Sequence, residues 1–210
     1  MEDKVKKVLF ELNRMFPDAK GELVHRNSFE LLIAVVLSAQ TTDKAVNVVT
    51  QELFLRYPCP ELLALANQTD VEKIINRIGL YKTKAQNIIN IAKILVSDYK
   101  GNVPNSRIEL EKLPGVGRKT SNVVLSIAFD IPAIAVDTHV ERVSKRLGLA
   151  DKGDNVLKVE QKLMLLFPKN KWTKLHHQLI FFGRYHCTAR SPKCSVCPLF
   201  NECNYPAKNK

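Results

Sequence analysis

The chain has 210 residues, 45% of them hydrophobic and 25% charged, ordinary values for a soluble globular protein of one large domain or two small ones. Its 32 Lys and Arg against 21 Asp and Glu give a net charge of +11, which favours a polyanionic partner such as nucleic acid over a merely soluble basic surface. No run reaches the roughly 18 to 20 uncharged apolar residues that span a bilayer, and the charged start "MEDKVKKVLFELNRMF" is no secretory signal, so an intracellular chain with no membrane partner is expected.

Helical periodicity begins at once, with Val5, Val8, Leu9, Leu12, Met15 and Phe16 on one face. "SFELLIAVVLSAQ" is almost wholly apolar and predicts a central buried helix, with Ser28 as its N-cap. A helix from Asp43 follows, and Pro60 suits the first turn of a short one running to about Asn67. Thr69 with Glu72, and Ser106 with Glu109, have capping-box spacing, while Gly79 and Gly101 are stop signals. Further helices are expected from about Asp137 to Gly148, over about 154 to 166, and from about Lys171 to Gly183. Only "IPAIAV" reads as briefly extended. The pattern predicts an all-α fold of about ten helices, and no low-complexity linker marks a domain boundary.

"LPGVGRKTSNVV", residues 113–124, lies between "SRIELEKL" and the helical run "TSNVVLSIAF". Pro114 ends the first helix; Gly115 and Gly117 let the backbone turn tightly and come close to something outside. Exposed N–H groups backed by a helix N-terminus form an anion site, and the positive charge makes a nucleic-acid phosphate the expected anion. Arg118 and Lys119 then fall in a first helical turn, where the dipole disfavours cations by a few tenths of a kcal/mol up to about 1. A Walker P-loop is excluded, because with Lys119 as its lysine the required glycine positions hold Leu113 and Arg118. A plain αα-turn with a phosphate-binding lysine remains open on these residues alone.

Taken together, the motifs resemble the endonuclease III family of DNA glycosylases. "LPGVGRKTSNVV" is similar to its helix-hairpin-helix, and "AVDTHVERVSKRLGL" follows with Asp137 placed 18 residues after Lys119. "LLIAVVLSAQTTD" resembles the segment before the family's base pocket, and "CTARSPKCSVCPLFNEC" has its Cys-x6-Cys-x2-Cys-x5-Cys spacing. The likeness runs nearly end to end. It implies a two-lobed helix-hairpin-helix glycosylase fold, with a helical domain over 21–131 that ends in the hairpin. Residues 1–20 and 132–210 would form the second lobe with a cluster loop at 187–203, leaving the active site and DNA groove between the lobes. The implied activity is that of a bifunctional DNA glycosylase and apurinic/apyrimidinic lyase of base excision repair. It would act on damaged double-stranded DNA, with oxidised or ring-fragmented pyrimidines as the implied bases, as a cytoplasmic, nucleoid-associated monomer of bacterial type.

The resemblance makes Lys119 the nucleophile that attacks C1′ of a flipped nucleotide. Attack needs a neutral amine, and the helix dipole and Arg118 both disfavour the ammonium form, so the awkward position has a use. Asp137 reads on its own as an N-cap; the resemblance makes it the carboxylate that stabilises oxocarbenium character at C1′. Gly115, Val116, Gly117 and Arg118 are implied DNA contacts, with His139 near the phosphate and base pocket. Gln40 is implied to fill the gap left by the extruded base, and Leu80 to push between bases. From the residues alone those two are a solvent-facing amide and a capping hydrophobe after Gly79.

Of five cysteines, Cys59 stands apart, while Cys187, Cys194, Cys197 and Cys203 fall within 17 residues and argue for metal over disulfides in a reducing compartment. Structural zinc sites pair two short knuckles; here only Cys194 and Cys197 form one, so spacing leans towards [4Fe–4S] without excluding zinc. The resemblance implies a [4Fe–4S] cluster on these four residues. Arg190 and Lys193, between the first two, are candidates for phosphate contact. Two rivals remain at this point. A monofunctional mismatch adenine glycosylase usually lacks the lysine and carries a further C-terminal domain; a non-catalytic, cluster-stabilised DNA-binding protein needs neither Lys119 nor Asp137.

Overall fold

An unbroken apolar run has to be covered on all sides, and α2 (Ser28–Leu37) is: every residue from Phe29 to Leu37 is buried. The one charge in that run, Glu30, is 1% exposed and is held by the Arg26 guanidinium and the Arg26 N–H. In the computed structural model, which describes residues 2–206, all eleven α-helices follow one another without a strand among the described residues, as the sequence predicts. The "IPAIAV" segment forms no strand: its Ile131 N–H donates to the Leu125 carbonyl at 3.0 Å, and its Ala133–Val136 portion is buried.

The chain divides into two compact units, Glu22–Ile131 and the split pair Met1–Gly21 with Pro132–Lys210. In the first, α2 packs on α3 (Asp43–Arg56), α6 (Tyr81–Tyr99) and α8 (Arg118–Ala128). The short α4 (Pro60–Ala64) and α5 (Gln68–Ile75) pack on α6, and α7 (Arg107–Leu110) on α8. Leu32, Leu37, Leu53, Ile75, Ile88 and Ile91 form the floor of this core, all fully buried. In the split unit, α11 (Trp172–Phe181) packs on α1 (Glu2–Met15) and α9 (Thr138–Arg146), with α10 (Val156–Leu166) against α9. The predicted face of α1 is seen here: Val8 and Leu12 are buried, and Val5, Leu9, Met15 and Phe16 pack around them.

Several local details differ from the sequence pattern, each because another donor or acceptor lies better placed. Asn27, not Ser28, caps α2: its Oδ1 accepts the Glu30 N–H at 2.9 Å, and Ser28 is already helical. Asn67 caps α5, accepting from Thr69 N–H, which leaves Thr69 inside the helix and Glu72 bonded to the Gln68 amide. Ser106 stands at the N-cap of α7 but makes no capping bond, and Glu109 is taken by the Tyr99 hydroxyl and Lys112. The Pro60 helix stops at Ala64. The last helix ends at Phe181, because the Cys187 N–H reaches back five residues to the Phe182 carbonyl at 2.7 Å and opens a π-turn over Phe182–His186. Among the described residues no helix is long and apolar enough to cross a membrane.

The corrected cap is testable. Asn27→Ala should lower stability by about 1 kcal/mol and Ser28→Ala by a few tenths at most, read from urea melts of the two variants. Equal losses would return the cap to Ser28.

Candidate active site and metal centre

The hairpin between α7 and α8 turns at Leu113–Val116, where the Val116 N–H donates to the Leu113 carbonyl at 3.1 Å. Pro114 takes the second position, and Gly115, at φ +76°, the third, the arrangement of a type II turn. The conformation favours glycine there, and a Cβ on Gly115 would also lie 2.7 Å from the Asn87 amide nitrogen, so that side chain would have to move. Val116 is buried and ties the turn to the core. Gly117 differs: its φ of −102° suits any residue, and a Cβ there would meet nothing. Its bare backbone leaves the first turn of α8 unobstructed, and no side chain caps that helix. The N–H groups are therefore open to an anion, with Arg118 and Lys119 exposed beside them.

The loop from α5 to α6 repeats this turn. The Ile78 N–H donates to Ile75 as the Leu113 N–H donates to Leu110, and two residues later each chain enters the left-handed region, Leu80 at φ +59° and Gly115 at φ +76°. Gly79, read as the stop signal, stays out of that region; its neighbour takes the strain. Leu80 is nonetheless 60% exposed. Gln40, past the end of α2, is also exposed and left-handed at φ +54°. For a residue with a Cβ this conformation costs roughly 1–2 kcal/mol, and exposure returns little of it. Lys100 and Asp130 are exposed and left-handed as well, so the conformation alone does not single out Gln40 and Leu80. Beneath these two turns lies Lys84, 5% exposed, whose Nζ donates to Thr41 Oγ1 at 2.8 Å and whose amine is pushed down by burial. Sequence pattern does not single out Lys84 or Asn87; their offsets of four and seven from Leu80, one side of a helix, were the available signal.

In the split unit Asp137 is both cap and candidate. Its Oδ1 accepts the His139 and Val140 N–H groups, each at 2.8 Å, while Oδ2 accepts none of the hydrogen bonds made by the described residues. Capping thus occupies one oxygen and leaves the other for a substrate. His139 Nδ1 receives Arg142 Nη2 at 3.2 Å, and the same nitrogen donates to the Gly183 carbonyl at 2.7 Å and the Cys187 carbonyl at 3.1 Å. Burial first, and the Arg146 charge second, hold the Arg142 guanidinium below its ordinary value. Arg146 donates to Cys187 Sγ at 3.3 Å, Thr188 at 2.7 Å and Ala189 at 3.0 Å, and lies 3.9 Å over the Tyr205 ring. One helix therefore presents Asp137 at its start and grips the cysteine loop with its later turns. Neither arginine is legible as a clamp in the sequence, since their partners lie far along the chain.

Cys187, Cys194, Cys197 and Cys203 form no disulfide among the described residues, are half-buried, and line one cavity together with Phe182 and His186. Among the described residues no three His, Cys, Asp or Glu converge on a single metal ion. Yet burial pushes the Cys197 thiol up, and the other three sulfurs add to that shift. Four sulfurs lining one cavity and close enough to repel one another as thiolates suit a metal centre whose cations offset the repulsion, and they fit a polynuclear iron cluster. Burial, followed by the Lys193 charge, lowers the His186 pKa beside them. Arg190 and Lys193 are exposed on the same loop, with the Lys193 N–H anchored on the His186 carbonyl at 3.1 Å.

Residues 33–169 match the HhH-GPD superfamily of base excision DNA repair proteins, and residues 187–203 match the iron–sulfur binding domain of endonuclease III. The chain is 56% identical over 195 residues to endonuclease III of Bacillus subtilis (strain 168), covering 93% of this chain and 89% of that protein. It belongs to the endonuclease III family. Endonuclease III of Escherichia coli (strain K12) is 45% identical over 201 residues, 96% of this chain and 95% of its own. Among solved structures, a trapped endonuclease III–DNA covalent intermediate matches with a TM-score of 0.94 at 55% identity, covering 97% of this chain and 96% of that one. A thermostable thymine-DNA glycosylase matches at 0.85 and 28% identity, covering 96% and 94%. As a member of this family the chain carries a [4Fe–4S] cluster in the 187–203 domain.

The strain at Leu80 can be measured. Leu80→Asn should equal or exceed the parent in stability, by up to about 1 kcal/mol, because Asn tolerates the left-handed region and little apolar contact is lost. Leu53→Ala in the core beneath should lose about 2–5 kcal/mol. A comparable loss for Leu80→Asn in thermal melts would show that Leu80 is there for stability.

Proposed function

We propose that Lys119 and Asp137 carry the chemistry of this DNA glycosylase and apurinic/apyrimidinic lyase, acting on a nucleotide flipped from damaged double-stranded DNA. The observation that supports it most is an exposed primary amine in the first turn of an uncapped helix, directly after a turn that presents backbone N–H groups. Gly115, Val116, Gly117 and Arg118 hold a backbone phosphate beside that amine. Lys119 Nζ bonds to C1′ as the bond from C1′ to the base breaks, and the departing base takes the electron pair and then a proton. Opening of the sugar ring gives a Schiff base between Nζ and C1′. Loss of a C2′ proton then expels the 3′ phosphate, and the strand breaks by β-elimination. The unbonded Asp137 Oδ2 stabilises positive character at C1′ in the first step, where a carboxylate has most effect.

Gln40 and Leu80 enter the duplex, the amide filling the gap left by the flipped base and the apolar side chain parting its neighbours. His139, Arg190 and Lys193 add phosphate contacts, steered by the net charge of +11. Cys187, Cys194, Cys197 and Cys203 hold the cluster, which fixes the shape of the loop that Arg142 and Arg146 grip. We assign oxidised pyrimidines as the excised bases and the bacterial nucleoid as the place of action, for a chain that works as a monomer.

Borohydride trapping and single-turnover cleavage on a thymine-glycol duplex separate the roles. Lys119→Ala should give no trapped complex yet still bind the lesion. Asp137→Asn should cut about 100-fold or more slowly while melting as the parent does, since Asn caps about as well as Asp. Normal trapping by Lys119→Ala would remove the nucleophile, and normal cutting by Asp137→Asn would leave that carboxylate a cap alone.

A further inference from the structure

A buried ammonium is costly unless it is paired, and among the described residues Lys84 has no carboxylate partner. Among the described residues its only hydrogen bond from Nζ goes to Thr41 Oγ1, in the loop between the end of α2 at Leu37 and the Thr42 cap of α3. Stability does not account for such a group, since an apolar side chain of equal length would fill the same space at no electrostatic cost. Its connections are more specific. Thr41 directly follows the left-handed Gln40, and its own N–H closes the turn on the Ser38 carbonyl at 3.1 Å. The main-chain N–H of Lys84 donates to the Leu80 carbonyl at 3.0 Å, inside the turn that Leu80 caps. One residue thus joins two strained, exposed turns, by its backbone to one and by its side chain to the other.

We infer that Lys84 is a positioning residue that fixes the Gln40 loop relative to the Leu80 turn, so that both side chains enter the duplex as a preset pair. This rests on the reading that Gln40 and Leu80 insert into DNA. Two probes that must enter one duplex at neighbouring places lose affinity and rate if their spacing has to be ordered on binding. The Lys84–Thr41 bond orders it beforehand. Packing of α2 on α6 sets the distance, and the hydrogen bond sets the direction of the Gln40 loop.

The test compares two substrates: a thymine-glycol duplex, which requires insertion, and a preformed abasic site in single-stranded DNA, which leaves no base stack to part. Lys84→Met keeps length and apolar stem but removes charge and donors. It should slow duplex excision roughly 10- to 100-fold and leave single-strand cleavage within about twofold, with the melting temperature unchanged or raised. Thr41→Val should reproduce that split, Thr41→Ser should restore the parent behaviour, and Lys84→Met with Thr41→Val should be no worse than either alone. Gln40→Ala and Leu80→Ala are run beside them. If those two lose duplex excision while Lys84→Met and Thr41→Val keep it, the Lys84 inference is overturned and the insertion reading stands. If Gln40→Ala and Leu80→Ala excise normally, the insertion reading falls and takes the inference with it. Equal losses on both substrates for Lys84→Met and Thr41→Val would overturn it as well.

Discussion

Three left-handed turns, at Gln40, Leu80 and Gly115, rest on one side of α6. Leu80 caps that helix, Lys84 four residues on bonds to the Gln40 loop, and Asn87, three further, fills the space where Gly115 lacks a Cβ. Under the proposed function, the DNA contacts of this unit depend on that stripe staying put. Buried residues along and beside the same stripe of α6 secure it, with Ala85, Ile88, Ile91, Ala92 and Leu95 fully buried. Each large side chain among them stabilises by about 1.5–3 kcal/mol, so a few offset the roughly 1–2 kcal/mol of strain at each of Gln40 and Leu80. Strain of this size persists only where the surrounding core leaves the turn no alternative.

The split unit solves a related problem with α9. In this account a carboxylate used in catalysis must be oriented and still reachable, and an N-cap supplies the first through N–H bonds to a single oxygen while leaving the other open. The later turns of the same helix hold the cysteine loop through Arg142 and Arg146, the second of them bonded to the Cys187 sulfur. Shape in the 187–203 loop, which carries few buried apolar residues of its own, is thereby tied to the helix that orients Asp137. The cluster's contribution in this account is mechanical, the neutralisation of four thiolates that would otherwise repel one another.

What could be read from sequence was whatever is contiguous. The all-α class follows from periodicity, and the hairpin and the cysteine loop follow from short motifs whose spacing is itself the chemistry. Boundaries were weaker. Ser28 and Asn27 are both good caps, and only backbone direction decides between them. Gly79 is the obvious left-handed residue, yet Leu80 takes that conformation because the turn repeats the geometry of the Gly115 hairpin one residue later than the glycine. Lys84 and Thr41 are 43 residues apart, and Arg142 and Gly183 are 41 apart, so neither pairing exists until helices pack. Periodicity places Lys84 on a buried face, where a charge looks like a misfit. Its meaning is tertiary.

The central claim is that one exposed lysine, on the hairpin, forms the covalent bond to DNA. Lys84 is the instructive competitor, a second amine of the same unit, pushed down by burial but committed to Thr41. Peptide mapping by mass spectrometry of the borohydride-reduced complex of the unmodified protein with a thymine-glycol duplex decides the matter. The account predicts a single sugar adduct on the peptide containing Lys119. An adduct on Lys84, or on any other amine with Lys119 left unmodified, would contradict it.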